Sequence, residues 1–374
     1  MDPRLPLTRL LEAGRAPWQK GPDGCTAALG PVRQAVGVLC SYVPGEMIHA
    51  AGFVPVRLRG TDAPLRRVDA HLQSFTCALC RSTLDQFLGG ELSSLAGVVF
   101  AHSCDAMQAL ADVWRMSAPP GFHLEVVMQP ARVGDGSPAA RTYLEAELDR
   151  FRHRLAGWTG RPVSDDDLRA SIALYDETRR LVQALQQRRD RLTASEFLDV
   201  LDCAQAAPRE WVNPLLAELL AALEAVPPRP AGARLFLSGA VLDQRHVPEL
   251  IEEAGGRVVG DDLCSASRHF YGQVGVDGDP LRVLADYSLR RPPCPAKYCA
   301  GYESGRALLD QVRQARADGV VFVLEKYCDP HAFERALVLP ALDRAGIPHL
   351  LLELEQTASV EALRTRVQAF VEMF

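Results

Sequence analysis

Two cysteine–aspartate pairs, Cys104-Asp105 and Cys328-Asp329, each follow directly on a short apolar run. The first run is Leu95-Ala-Gly-Val-Val-Phe-Ala-His-Ser and the second Gly319-Val-Val-Phe-Val-Leu-Glu-Lys-Tyr. Runs of this kind read as buried strands feeding helices, which predicts a parallel α/β sheet with ligands beyond the carboxyl ends of its strands. The same thiol placement therefore occurs twice where a site is expected. With Cys77, three thiolates converging from such ends can hold a [4Fe–4S] cluster and leave one iron open to another ligand. The spacing is unlike the compact ferredoxin run, and on spacing alone several unrelated buried thiols is the plainer reading. Zinc is poorly served, because no second Cys-x-x-Cys answers Cys77-Ala-Leu-Cys80. A redox role for that single motif requires it to open a helix after a strand.

Two further residue types at these ends can move protons. His102 shares the strand end of Cys104, whereas the other histidines are scattered. Glu46, after Pro44, is either a first-turn carboxylate or a site acid. Asp105 and Asp329 are expected to cap the helices that follow them. Neither a G-x-x-x-x-G-K-[ST] loop nor a G-x-G-x-x-G turn is present, so no cradle for ATP or a dinucleotide is recognisable.

The elements that position these residues come in two sets. Val36–Cys40, Val54–Leu58 and Val98–Ala101 read as strands, with helices through Met47–Ala51, Cys77–Phe87 and Ala106–Met116. Residues 1–30 carry four prolines and read as an irregular peripheral arm. From Ala139 to Ala225 long amphipathic stretches dominate, and Ser164 before three aspartates is a helix N-cap. Pro227-Pro228-Arg229-Pro230 ends that region. The strand–helix alternation then restarts, with strands at Arg234–Gly239, Gly256–Gly260, Val320–Leu324 and His349–Glu353 and a closing helix over Val360–Met373. The expected division is an arm (1–30), a first α/β domain (31–138), a helical segment (139–228) and a second α/β domain (229–374).

The 374 residues are 48% hydrophobic and 24% charged, an ordinary globular composition, and the net charge of -6 without a basic tract argues against nucleic acid. No apolar run approaches the roughly 18 residues of a membrane span, and Met1–Lys20 lacks a signal peptide's apolar core. A cytoplasmic protein with mostly reduced cysteines is expected.

Taken in order, several segments resemble the 2-hydroxyacyl-CoA dehydratase / benzoyl-CoA reductase family. They are Cys40-Ser-Tyr-Val-Pro-Gly-Glu46 through Arg57, Cys77-Ala-Leu-Cys80-Arg81-Ser82, Ser103-Cys104-Asp105 and Ser238-Gly239. Asp261-Asp262-Leu263-Cys264, Pro293-Cys294-Pro295-Ala296-Lys297, Lys326-Tyr327-Cys328-Asp329-Pro330 and the stretch from Gly346 to Phe370 follow. The resemblance runs from about residue 34 to 374 and implies two Rossmann-like parallel-sheet domains with an additional helical segment. It implies a [4Fe–4S] cluster on Cys77, Cys104 and Cys328, with Cys40 as a fourth candidate and Cys80 a doubtful ligand. It also implies a homologous sister subunit, radical chemistry on an acyl-CoA thioester, and a separate dimeric iron–sulfur activator that hydrolyses the ATP. A related branch, homodimeric double-cubane proteins with an [8Fe–9S] cluster, is an alternative reading, since Cys264, Cys294 and Cys299 supply further thiols. A cluster-free scaffold or sensor that kept the fold is another. Cys25 and Cys203 lie outside every motif and are expected to be structural.

Overall fold

The computed structural model describes residues 4–19, 33–133, 137–355 and 359–374. Cys25 lies outside them. The first sheet contains β1 (Ala35–Leu39), β2 (Val54–Arg57), β3 (Gly97–His102) and β4 (His123–Met128), all parallel, in the order β2-β1-β3-β4. A tiny β5 (Arg132–Val133) follows. The second sheet contains β6 (Ala233–Gly239), β7 (Gly256–Asp261), β9 (Gly319–Glu325) and β10 (His349–Leu354), again parallel. Its order, β10-β9-β6-β7, is the same topology read from the other edge. In each sheet the first strand lies inside, the second on one flank, and the strand preceding a Cys-Asp pair on the other. The short β8 (Tyr298–Cys299) pairs in parallel with β5 and so ties the second half to the first.

The helices follow from local sequence. The first half carries α1 (Leu5–Gln19), α2 (Gly45–Ala50), α3 (Ala78–Leu88) and α4 (Asp105–Ser117). Four long helices come next: α5 (Pro138–Thr159), α6 (Asp165–Gln186), α7 (Ala194–Ala206) and α8 (Arg209–Leu223). The second half carries α9 (His246–Glu253), α10 (Pro280–Arg290), α11 (Ser304–Gln314), α12 (Asp329–Ala345) and α13 (Val360–Val371). Ser164 does cap α6, in a full capping box with Asp167. Each sheet is covered on both faces, so its strands are apolar on both sides rather than alternating with polar residues. On β1 and β3, Val36, Val38, Val99 and Ala101 face Leu144, Leu148, Phe151 and Leu155 of α5. Leu39, Val98 and Phe100 point the other way, toward Leu84 of α3 and Leu110 and Trp114 of α4. Helices α9 and α13 cover one face of the second sheet, with α7 and α8 in the same core behind them, and α11 and α12 close its far face. Among the described residues no helix is long and apolar enough to cross a membrane.

One sequence expectation changes here, and two elements appear that the sequence did not announce. Residues 5–19 form a helix, and its Leu7 and Leu10 are buried in the core shared by α7 and α8. Pro6 stands in the first turn, where a missing N–H costs nothing. Strand β4 has no apolar run to announce it, because Glu125 interrupts it; that carboxylate is buried against Arg150 and Arg154 of α5, at 2.9 and 2.8 Å. Helix α10 is opened by Asp279, whose side chain accepts from the Arg282 amide at 2.9 Å, with Pro280 following.

Gly239, closing β6, has a φ of +137°, and a Cβ there would fall 2.0 Å from the Val323 carbonyl oxygen. Gly239→Ala is expected to lose at least about 1–3 kcal/mol from backbone strain alone. A lowered melting temperature by circular dichroism is the check, and an unchanged one contradicts the β6–β9 contact.

Candidate functional site

The carboxyl ends of β3 and β9 and the link after β2 bring cysteines to one place. Cys77, Cys104 and Cys328 are the N-cap residues of α3, α4 and α12. Asp105 and Asp329, expected as caps, are instead the first helical residues behind them. The chain is still extended at Cys104, so the turn into the helix falls one residue earlier than the aspartates suggest. None of the three thiols makes a full capping hydrogen bond. The amides of Cys80, Met107 and His331, three residues on in each case, nevertheless favour their ionised forms. Three helix N-termini, each with partial positive charge, thus face one group of sulfurs.

The thiols feel one another. Burial pushes Cys104 up to about 11, with Cys77 and Cys40 adding to the rise. Cys328 is also raised, by burial first and then by Cys77 and Cys104. Cys77 is lowered, chiefly by a hydrogen bond from Cys80, which is itself raised by that same bond and by its burial. Cys80 is therefore the proton-holding neighbour of Cys77. Burial pushes Cys294 up to about 12, with Cys264 and Cys40 beside it. The cysteines form two adjoining sets, Cys77/Cys80/Cys104/Cys328 and Cys40/Cys264/Cys294, and none is in a disulfide. Cys203 stands apart, fully buried in α7. Among the described residues no group of three His, Cys, Asp or Glu side chains is assembled for a metal ion. A multi-iron cluster spreads its thiolates over several corners rather than gathering them round one ion. The donor set of soft, unbridged sulfurs at three helix N-termini suits such a group.

Surrounding residues fix these loops. Asp261 ends β7 and accepts from Ser267 Oγ at 2.8 Å, from the Ser267 and Leu263 amides at 3.0 and 3.2 Å, and from Arg189 at 2.5 Å. That cage shapes the turn carrying Cys264. Ser41 Oγ donates to the Cys264 carbonyl at 3.0 Å and lies 3.5 Å from its sulfur. The Cys294 amide donates to Tyr42 Oη at 3.1 Å, and Lys297 Nζ to the His102 carbonyl at 3.4 Å. Lys297 interacts with Cys40, Cys294 and Cys104, although burial lowers its pKa, and Arg57, Arg268 and Arg291 act together to lower the Cys264 thiol against its burial. Cys40 and Tyr327 hold positive φ angles, 83° and 66°, a strained conformation for residues with a Cβ. Both adjoin this edge.

His102 ends β3 at the thiol edge. Glu46 does not join it. It is buried in the first turn of α2, in an ion pair with Arg179 of α6, and lines a cavity with Arg57, Tyr175, Arg209 and Arg291. Burial alone would raise its pKa, but the Arg179 guanidinium outweighs that and holds the carboxyl below the usual range. Sequence reading missed Glu325, the last residue of β9, whose Oε2 is buried without a partner. Burial first, and then Asp243, push it up to about 8, with Cys77 adding to the rise. Its only signal was a carboxylate at the end of an otherwise apolar strand. It also gave no role to Lys297 or to the cavity arginines, although Lys297 and Arg57 lie within segments that carry the resemblance.

Residues 40–374 match the family described as 2-hydroxyglutaryl-CoA dehydratase, D-component. The chain is 29% identical over 354 residues to the C subunit of benzoyl-CoA reductase from Thauera aromatica, with 91% of each chain covered. It is 27% identical over 384 residues to the lactoyl-CoA dehydratase β subunit of Anaerotignum propionicum, covering 98% of each. To the (R)-phenyllactyl-CoA dehydratase β subunit of Clostridium sporogenes it is 25% identical over 346 residues, with 91% of each covered.

Glu325 gives a pH test. A carboxyl raised in the fold is protonated in the native state at pH values where the unfolded chain has already lost its proton. Its contribution is therefore fully present below the ordinary glutamate pKa of about 4.3 and is lost as pH rises through about 8. Relative to the parent, Glu325→Gln should gain melting temperature progressively between pH 5 and pH 9. A constant difference across that range contradicts a buried neutral Glu325.

Proposed function

Because the chain belongs to the 2-hydroxyglutaryl-CoA dehydratase D-component family, which takes in 2-hydroxyacyl-CoA dehydratase and benzoyl-CoA reductase subunits, we propose that it is the cluster-carrying subunit of such an enzyme. The observation that carries this reading is the set of three helix-capping cysteines at one edge. Cys77, Cys104 and Cys328 would hold a [4Fe–4S] cluster, with Cys40 as a further candidate. Bound there, the cluster supplies one-electron transfer to a CoA thioester. The chain's own part is to bind it through soft sulfur, to oppose its negative charge with helix N-termini and Lys297, and to exclude water from the buried edge. An N-terminal positive end and a nearby ammonium both favour a thiolate-rich, electron-accepting site.

The relatives are named as β or C subunits. We extend that assembly to this chain: a homologous sister subunit, an acyl-CoA substrate, and a separate dimeric iron–sulfur activator that hydrolyses ATP. A reducing compartment such as the cytoplasm suits the free cysteines. A second reading has its own support, because Cys40, Cys264 and Cys294 adjoin the first thiol set. In that reading two copies of the chain form a homodimeric double-cubane protein with an [8Fe–9S] cluster.

Iron and acid-labile sulfide after anaerobic purification decide between them. About four irons per chain supports the single cluster and about eight the double cubane, while none leaves a cluster-free scaffold. Cys104→Ser and Cys328→Ser should each lose most of the iron, because a hydroxyl is a hard and rarely deprotonated ligand. Cys203→Ser should keep it. An iron-replete Cys104→Ser protein overturns the ligand assignment.

We assign proton handling to His102, at the thiol edge, and to Glu46, whose lowered pKa makes it an ionised acceptor. His102→Gln and Glu46→Gln are expected to keep iron content while slowing turnover by about 10²-fold or more. Unchanged turnover in both removes them from the mechanism.

A further inference from the structure

Of the 41 lysines and arginines in the chain three are lysines, Lys20, Lys297 and Lys326. The last two stand in identical Lys-Tyr-Cys tripeptides, 297–299 and 326–328, the second of which ends on Cys328. Elsewhere the chain uses arginine, whose planar fork pairs with carboxylates, whereas a lysine is a compact point charge. The two lysines differ in setting. The Lys326 side chain is 41% exposed and paired with Glu355. Lys297 is 8% exposed, and among the described residues no carboxylate pairs with it. Its Nζ makes one long bond, to the His102 carbonyl at 3.4 Å, and lies 5.8 Å from the centre of the Tyr42 ring.

Backbone bonds clamp Lys297 in place. Its amide donates to the Cys294 carbonyl at 2.8 Å, and the Tyr298 amide to the Ala131 carbonyl at 2.8 Å, where β8 joins β5. A residue of the second half is thus fixed against the first half, beside the end of β3. A buried ammonium persists only when something compensates it, and one carbonyl with one ring face does so in part. The groups that favour its charged form against burial are sulfurs, those of Cys40, Cys294 and Cys104. They come from both thiol sets, so Lys297 stands where the two adjoin. We infer that Lys297 is the counter-cation of the group bound at this edge and sets its reduction potential. A fixed positive charge in a buried site favours the form that carries one more electron. The inference rests on the cluster reading above, with either a single or a double cubane. Lys326, exposed and already paired, is screened from that role.

The test compares Lys297→Met, Lys297→Arg and Lys326→Met with the parent, each as the full chain purified anaerobically. Iron content is measured first, then the midpoint potential by redox titration followed with electron paramagnetic resonance. Lys297→Met should keep its iron and lower the midpoint by at least about 59 mV, a tenfold loss in the one-electron reduction equilibrium. Lys297→Arg should shift it less than half as far, and Lys326→Met should leave it unchanged. Loss of iron in Lys297→Met that Lys297→Arg retains also supports a requirement for charge. An unchanged potential in iron-replete Lys297→Met overturns the inference, as does an equal shift in Lys297→Arg or in Lys326→Met. Loss of iron in both Lys297 variants overturns it too, since the side chain is then a tether between the halves. A parent without iron overturns the cluster reading and this inference with it, whereas an iron-replete parent whose potential ignores Lys297 overturns this inference alone.

Discussion

The architecture depends on where three helices begin. Each of α3, α4 and α12 starts on a cysteine at the carboxyl side of a parallel sheet, so three helix N-termini face one group of sulfurs. A helix N-terminus favours negative charge, and three of them with Lys297 make a place that favours thiolates, and would favour the anionic cluster proposed above. Burial nevertheless raises the thiols of both Cys104 and Cys328. The duplicated sheet order makes the placement possible, because β3 and β9 occupy equivalent positions and end in equivalent cysteines.

Keeping the two halves in register requires bonds across them, and many are charged. Arg59, after β2, pairs with Asp243, after β6, at 2.9 Å and with Asp202 of α7, which also pairs with Arg245. The Arg291 guanidinium reaches the Ser41 carbonyl, and the β5–β8 pair joins the halves through backbone. Arg189 and Asp261 are paired at 2.5 Å, with side chains 5% and 0% exposed. Such buried pairs add little net stability, but removing one partner strands a charge and costs about 3–5 kcal/mol. They specify geometry at the thiol edge more than they stabilise the fold.

Much of the fold was readable because parallel strands buried on both faces are plain apolar runs, as in Val98–Ala101 and Val320–Leu324. Capping was readable where the cap is a hydroxyl with a carboxylate three residues on, as at Ser164, and misplaced by one residue where the cap is a cysteine. Strand β4 was hidden by Glu125, whose charge is neutralised by arginines 25 and 29 residues further along the chain. The cysteines of the site were visible as residue types at strand ends. The arginine cavity was not, because it assembles from β2, α6, α8 and the segment after α10, and no local pattern joins them.

The central claim is that Cys77, Cys104 and Cys328 act together as ligands of one group. Thiol footprinting by mass spectrometry on anaerobically isolated protein, before and after iron chelation, addresses it directly. The account predicts that all three resist alkylation until the chelator removes the iron and then become reactive together. Equal labelling of the three before and after chelation would contradict it.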